Sequence, residues 1–196
     1  MPTDRVPDTA MDDDRSLVTA VLANVPGAFE RLVREYQGLC WHIIQRMVRH
    51  PEDTRELCQE AFLRVHRNLH QYRFDAPLKS WIGQVAYSVA RRHLERKRIP
   101  LVEPAEGEAS LLDLVGDGFD LEAATADDEI ARALHVAIEA LPPQQRLLLT
   151  LYHLDEIPIA EISRITGLAE GTIKSHLFRS RKRLRELLEI RIGVAA

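Results

Sequence analysis

Residues Pro158–Leu187 read PIAEISRITGLAEGTIKSHLFRSRKRLREL. Two helical patterns meet in this stretch at a glycine. Ile159, Ile162 and Ile165 recur at helical spacing and predict a short helix over Ile159–Thr166. Gly167 can adopt the positive φ that a tight turn between helices requires. Beyond it Ile173, Leu177, Leu184 and Leu188 keep the helical period and predict a long helix from about Glu170 to Ile190. With that stripe inward, Lys174, Ser175, His176, Arg179, Arg181, Lys182 and Arg183 lie on or near the outer faces. A helix that enters the DNA major groove needs short polar residues for base edges and long cations for flanking phosphates. This helix carries both, so the stretch predicts a DNA-reading helix–turn–helix. An ordinary bundle would also tolerate a solvated basic helix, but here turn, stripe and cations agree in register.

The charge distribution supports this reading where the total does not. The 196-residue chain is 45% hydrophobic and 29% charged, with a net charge of −4. Between Ile99 and Ala131 there is no Lys or Arg, yet there are ten acidic residues; between Gly171 and Arg191 seven basic residues face two acidic ones. Local charge governs binding more than the sum does.

Upstream, Phe29, Leu32, Val33, Tyr36, Cys40, Ile43, Ile44 and Met47 form one helical stripe, which Pro51 ends. A second helix follows with Leu57, Ala61, Phe62, Val65 and Leu69 inward. Glu52, Asp53 and Glu56 stand at its start, where the helix dipole favours them. Gln71–Pro77 reads as a loop. A third helix spans about Leu78–Arg98, with Ile82, Val85, Ala86, Val89 and Leu94 on one face and Arg91, Arg92, Arg96, Lys97 and Arg98 in its last turns. Around this loop and helix, Tyr72, Phe74, Trp81 and Tyr87 interleave with Arg73, Lys79, Arg91 and Arg92. Stacking surfaces beside cations suit single-stranded DNA, although aromatics at helical spacing also pack cores. From Ile99 to about Thr125 the pattern is lost among Pro100, Pro104, Gly107, Gly116 and Gly118. This predicts a flexible acidic linker with a short helical turn at Leu111–Val115. Helices near Ile130–Leu141 and Gln144–His153, the latter opened by Pro142-Pro143, lead into the helix–turn–helix.

The expected fold is all-α: two small helical domains joined by a flexible acidic linker. The predicted divisions are an N-terminal tail and start of the first helix (1–24), a first domain (25–98), the linker (99–127) and a second domain (128–192). Met11 offers an alternative start, which would make the first ten residues a tail of little consequence. The acidic N-terminus is no signal peptide, and no apolar run approaches the roughly 18 residues that span a bilayer. A cytoplasmic protein without membrane insertion is therefore expected. Cys40 and Cys58 fall at apolar positions and read as core packing. His66 and His70 are spaced i, i+4, but no third metal ligand is evident. No phosphate loop or catalytic constellation is present, so neither enzymatic activity nor a cofactor is expected.

Taken together, these segments resemble the extracytoplasmic-function sigma factors over about Phe29–Arg98 and Glu129–Leu188. The run Asp53-x-x-Glu56-Leu57-x-Gln59-Glu60-Ala61-Phe62 resembles the family's region 2.2, which docks on the clamp coiled coil of the polymerase β′ subunit. Tyr72-Arg73 through Lys79-Ser80-Trp81-Ile82 resembles its region for opening and reading the −10 element. Leu141-Pro142-Pro143-Gln144-Gln145-Arg146 resembles the opening of region 4, and Glu170–Arg181 its −35 recognition helix.

The resemblance implies a core-polymerase site at Asp53, Glu56, Leu57, Gln59, Glu60 and Phe62. It implies a −10 site at Tyr72, Arg73, Phe74, Asp75, Lys79, Trp81, Ser88, Arg91 and Arg92. Phe74 and its loop neighbours Asp75 to Leu78 are expected to capture an unstacked base, with Trp81 packing in support. The −35 set is Thr172, Lys174, Ser175, His176, Arg179, Arg181 and Lys182. Ser88 and Arg92 stand where members often carry Asn and Asp, and His176 stands where Arg is frequent. The implied partners are core RNA polymerase (β′ and β subunits), promoter DNA and an anti-sigma factor that occludes both Glu56–Phe62 and Lys174–Arg183. Control by stress or envelope signals is part of the same expectation. The alternative is a polymerase-independent helix–turn–helix regulator with an N-terminal sensing domain.

Overall fold

The computed structural model describes residues 8–102 and 128–192, with side chains over 12–102 and 134–188. The helical turn expected at Leu111–Val115 and nearly all of the acidic linker lie outside the described residues. The chain divides into two compact units, Met1–His93 with Arg164–Gly167 and Leu94–Ser163 with Leu168–Ala196. Among the described residues there is no β-strand, and no helix is long and apolar enough to cross a membrane.

The first unit opens with helix α1 (Asp8–Leu22). The sequence reading placed an N-terminal tail and the start of the first helix there. The structure corrects this: α1 is a helix of its own, with Leu17, Val18 and Val21 buried. Its charged opening hides a short apolar stripe. Helix α2 (Ala28–Val48) buries Leu32, Tyr36, Cys40, Ile43, Ile44 and Met47. It ends at Arg49 in the left-handed conformation (φ 64°), which turns the Arg49 N–H back to the Gln45 carbonyl. Pro51 then occupies the first turn of α3 (Pro51–Asn68), where its missing N–H costs nothing. The His50 side chain caps this helix by accepting from the Asp53 N–H at 3.3 Å. A 3₁₀ turn (Leu69–Gln71) and a loop lead to α4 (Leu78–Arg96).

Asp14 joins three of these helices. Its Oδ1 accepts from the Tyr36 hydroxyl at 3.2 Å, and its Oδ2 accepts from the Leu78 N–H at 2.8 Å. A carboxylate from 64 residues away thus satisfies an orphan donor at the start of α4, where the helix dipole also favours it.

The second unit contains α5 (Asp128–Glu139), α6 (Pro143–Leu149) continued by a π-turn (Thr150–Leu154), the first part of α7 (Ile159–Thr166) and α8 (Glu170–Ile192). Every residue of α6 is buried, Arg146 included. Its guanidinium donates to the Glu139 and Leu141 carbonyls at 3.1 and 2.9 Å, at and just past the end of α5. Gly167 adopts φ +72° as expected, and the Ser163 hydroxyl donates to the Leu168 carbonyl across the same turn.

On α8 the buried set is Ile173, Leu177, Leu184 and Leu188, together with Ser180 and His176. This corrects the outward placement of His176. It lies three residues after Ile173 and four before Ser180, so it belongs to the inward stripe. Its Nε2 sits 3.3 Å from Gln144 Nε2, and its Nδ1 is buried without a hydrogen-bond partner. Burial, followed by the nearby Arg179 charge, pushes the His176 pKa below its ordinary 6.5. His153 is lowered in the same way by burial and Arg181.

These arrangements give two expected outcomes. Asp14→Ala leaves two buried donors unpaired and should lower unfolding stability by roughly 2–4 kcal/mol in urea titrations. Tyr36→Phe, which removes one of those donors, should cost much less in the Asp14→Ala background than in the wild type. The second outcome concerns pH. Both depressed histidines bind protons more weakly folded than unfolded, so their contribution is full above the ordinary value of 6.5 and falls as pH drops below it. Denaturation at stepped pH should show that loss, and the pair His153→Gln, His176→Gln should flatten the profile below that point.

Candidate functional site

Three surfaces carry the chemistry expected from the sequence. The first is a groove between α2 and α3 of about 760 Å³, lined mainly by Phe29, Val33, Trp41, Cys58, Phe62 and Leu63. Leu63 is 56% exposed and Trp41 39%. The sequence reading found Phe62 but missed Trp41 and Leu63. Each follows directly after a buried stripe residue, and an apolar face that wide signals a second contact beyond the core.

The expected docking residues sort themselves around this groove. Glu56 and Gln59 are exposed, and Gln59 lines it. Glu60 pairs with Arg64 along α3, and Asp53 lies 3.4 Å from His93 on α4. Leu57 is 4% exposed and packs in the core, so it is corrected from contact residue to support. Phe62 is nearly buried but forms part of the groove floor.

Cys58 borders the groove while Cys40 lies beneath it in the core; both are free thiols. Burial raises their pKa values to about 11 and about 12, so both stay protonated and apolar at neutral pH. His66 makes an edge contact with Phe29, and the described residues contain no group of three side chains that could hold a metal.

The second surface is the loop before α4. Tyr72 is buried, and its hydroxyl donates to the Ala76 carbonyl at 2.6 Å, closing the loop on itself. Burial, then the Asp14 charge, raises its pKa to about 12. The Tyr72 ring packs 4.6 Å from Phe74 and 5.6 Å from Trp81. Tyr72 and Tyr87 are therefore walls of the core rather than stacking platforms, which corrects their expected exposure; Phe74 and Trp81 keep partly open rings. Phe74 is held at φ +61°, a strained conformation for a bulky side chain. Arg73, Asp75, Lys79, Arg91 and Arg92 are exposed. Trp81, Ser88 and Arg92 fall at i, i+7 and i+11, on one partly open face of α4.

The third surface is α8. Thr172, Lys174 and Lys182 are exposed, and Ser175, Arg179 and Arg181 are half-buried. Thr172, Ser175, Arg179 and Lys182 follow an i, i+3, i+7, i+10 rhythm opposite the apolar stripe, with Lys174 and Arg181 along one edge. Lys174 and Arg179, five residues apart, diverge on the helix rather than sharing a line.

Comparison with known proteins gives the same picture. Residues 32–99 match the family described as Sigma-70 region 2, and residues 131–184 match Sigma-70, region 4. The RNA polymerase sigma-H factor of Pseudomonas aeruginosa is 30% identical over 187 residues, covering 91% of this chain and 95% of its own. The ECF RNA polymerase sigma factor SigM of Mycobacterium tuberculosis is 30% identical over 175 residues, covering 89% of this chain and 84% of its own. The fold is shared with CnrH, solved in complex with the cytosolic domain of CnrY: TM-score 0.60, 19% identity, 90% of this chain and 97% of that one. It is shared also with the sigma factor RpoE, solved with the anti-sigma factor NepR from Bartonella quintana: TM-score 0.54, 19% identity, 84% of this chain and 98% of that one. With both regions present in order and relatives matched over nearly their whole length, the chain belongs to the extracytoplasmic-function RNA polymerase sigma factors.

Proposed function

We propose that this sigma factor divides its work among the three surfaces. The α2–α3 groove and its rim at Glu56, Gln59 and Leu63 receive the clamp coiled coil of the polymerase β′ subunit. The loop around Phe74 and the open face of α4 (Arg73, Asp75, Lys79, Trp81, Ser88, Arg91 and Arg92) open and read the −10 element. Helix α8 reads the −35 element through Thr172, Lys174, Ser175, Arg179, Arg181 and Lys182. The corresponding domains are 25–98 and 128–192, joined by residues 99–127.

The observation that carries this reading is the open apolar groove on a unit separate from the basic helix. Exposed Trp41 and Leu63 leave apolar surface that a partner must cover. The acidic balance also disfavours free DNA binding, so polymerase supplies the remaining cationic surface. The chain works in the cytoplasm, where polymerase and DNA are, and catalyses no reaction itself.

An anti-sigma factor holds it silent; in support, the similar RpoE was solved bound to the anti-sigma factor NepR, and the similar CnrH bound to the cytosolic domain of CnrY. On this chain the anti-sigma factor occludes both the face around Glu56–Phe62 and the helix around Lys174–Arg183.

Leu63→Glu and Trp41→Glu should each lower affinity for core polymerase at least tenfold. Leu63→Glu, at the more exposed of the two positions, should change stability by no more than about 0.5 kcal/mol. Undiminished polymerase binding by both variants removes the groove from the docking site. Arg179→Ala should cost about 1–3 kcal/mol of promoter discrimination if it reads a base, or reduce the salt slope by about one if it holds a phosphate. Unchanged promoter use in Arg179→Ala, Lys174→Ala and Lys182→Ala means that another face of α8 meets DNA.

A further inference from the structure

Helix α1 was read from the sequence as a tail and the start of the first helix, yet two adjacent residues of it reach the loop before α4 and its end. Asp14 caps α4 at the Leu78 N–H, one residue beyond the end of the loop at Pro77. Arg15, the next residue, is exposed, and its guanidinium carbon lies 4.7 Å from the centre of the Phe74 ring. A cation over an aromatic face is attracted by the ring quadrupole and fixes the orientation of the ring. Phe74 needs such support. Its backbone stands at φ +61°, where a bulky residue is strained, and its other ring contact is the tilted Tyr72. The Tyr72 hydroxyl, bonded to the Ala76 carbonyl, closes the loop around Phe74, and the Arg15 contact adds an attraction that favours this one ring orientation.

From this arrangement we propose that Arg15 is a positioning residue for strand opening: it holds Phe74 in the orientation that captures the unstacked base, while Asp14 fixes α1 against α4. The inference rests on the reading of Phe74 as the base-capturing aromatic. Ordering the ring in advance removes an entropic cost that base capture would otherwise carry. Arg15 acts through the ring and leaves the remaining ring surface to the base. The N-terminal helix is then a working part of the −10 site, and its sequence tunes how readily the promoter melts.

The test uses the full chain with core polymerase, on a promoter taken from the start sites that this holoenzyme itself uses. Open-complex formation is followed by permanganate reactivity, alongside core-polymerase affinity and thermal stability. Arg15→Ala should slow opening about fivefold with core affinity unchanged. Arg15→Met, which keeps the apolar stem but not the cation, should behave like Arg15→Ala. Arg15→Lys should stay within about twofold of the wild type. Phe74→Ala should slow opening, and adding Arg15→Ala to it should slow opening no further. On a template abasic at the position where Phe74→Ala no longer matters, the effect of Arg15→Ala should also vanish. If Phe74→Ala is slow and Arg15→Ala is normal, the positioning role is wrong and base capture by Phe74 stands. If Arg15→Ala slows opening equally with and without Phe74, Arg15 touches DNA on its own account and the inference is overturned. Normal opening by Phe74→Ala removes the base-capture reading, and the inference with it.

Discussion

The carboxylate of Asp14 is buried where α1, α2 and the start of α4 meet, and it accepts from the Tyr36 hydroxyl and the Leu78 N–H. A buried charge is tolerable only when it is hydrogen-bonded, and each of its donors would be costly to leave unpaired. This mutual dependence fixes the direction in which α4 begins. Because α4 follows directly from the aromatic loop, the same bond fixes where the loop ends. Desolvation by burial and the Asp14 charge together raise the pKa of Tyr36 well above its ordinary value, so the phenol remains a donor at any physiological pH.

From this anchor the two faces of the first unit acquire separate tasks. On one side α2 and α3 leave Trp41 and Leu63 beside an apolar groove; on the other, the loop offers half-open rings flanked by Arg73 and Lys79. The second unit is organised by a different constraint, the termination of α5. Arg146 donates to two carbonyls at that end from within the wholly buried α6. Helix α8 packs its apolar stripe inward with His176 against Gln144, which leaves Lys174, Lys182 and Arg183 exposed and Arg179 and Arg181 half-exposed. Basic residues on this helix therefore serve recognition because the opposite face already holds the fold.

Long helices with uninterrupted stripes were legible in the sequence, and α2, α3, α4, α7 and α8 stand close to where periodicity puts them. Gly167 was legible for a steric reason, since the turn requires positive φ. Helix α1 was not legible as an element. Its charged stretch, Asp12-Asp13-Asp14-Arg15, looks like a solvated tail, and the value of Asp14 depends on partners 22 and 64 residues away. Burial of His176 was legible in principle, because its spacing from Ile173 and Ser180 puts it on the apolar stripe; its polarity argued the other way. Leu57 and Tyr72 show the converse. A motif marks them as part of a site, but only packing tells a contact residue from the one that supports it. The groove was hidden because Trp41 and Leu63 lie beside a stripe rather than on it.

The central claim is that this chain gives polymerase its choice of promoter and has little of that choice alone. The most direct measurement is transcription from genomic fragments by purified core polymerase with and without the full chain, paired with duplex binding by the chain alone at the same salt concentration. The account predicts discrete new start sites only when both are present, and weak, salt-sensitive binding by the free chain. Tight, sequence-specific duplex binding by the free chain, with no new start sites on adding polymerase, would contradict it.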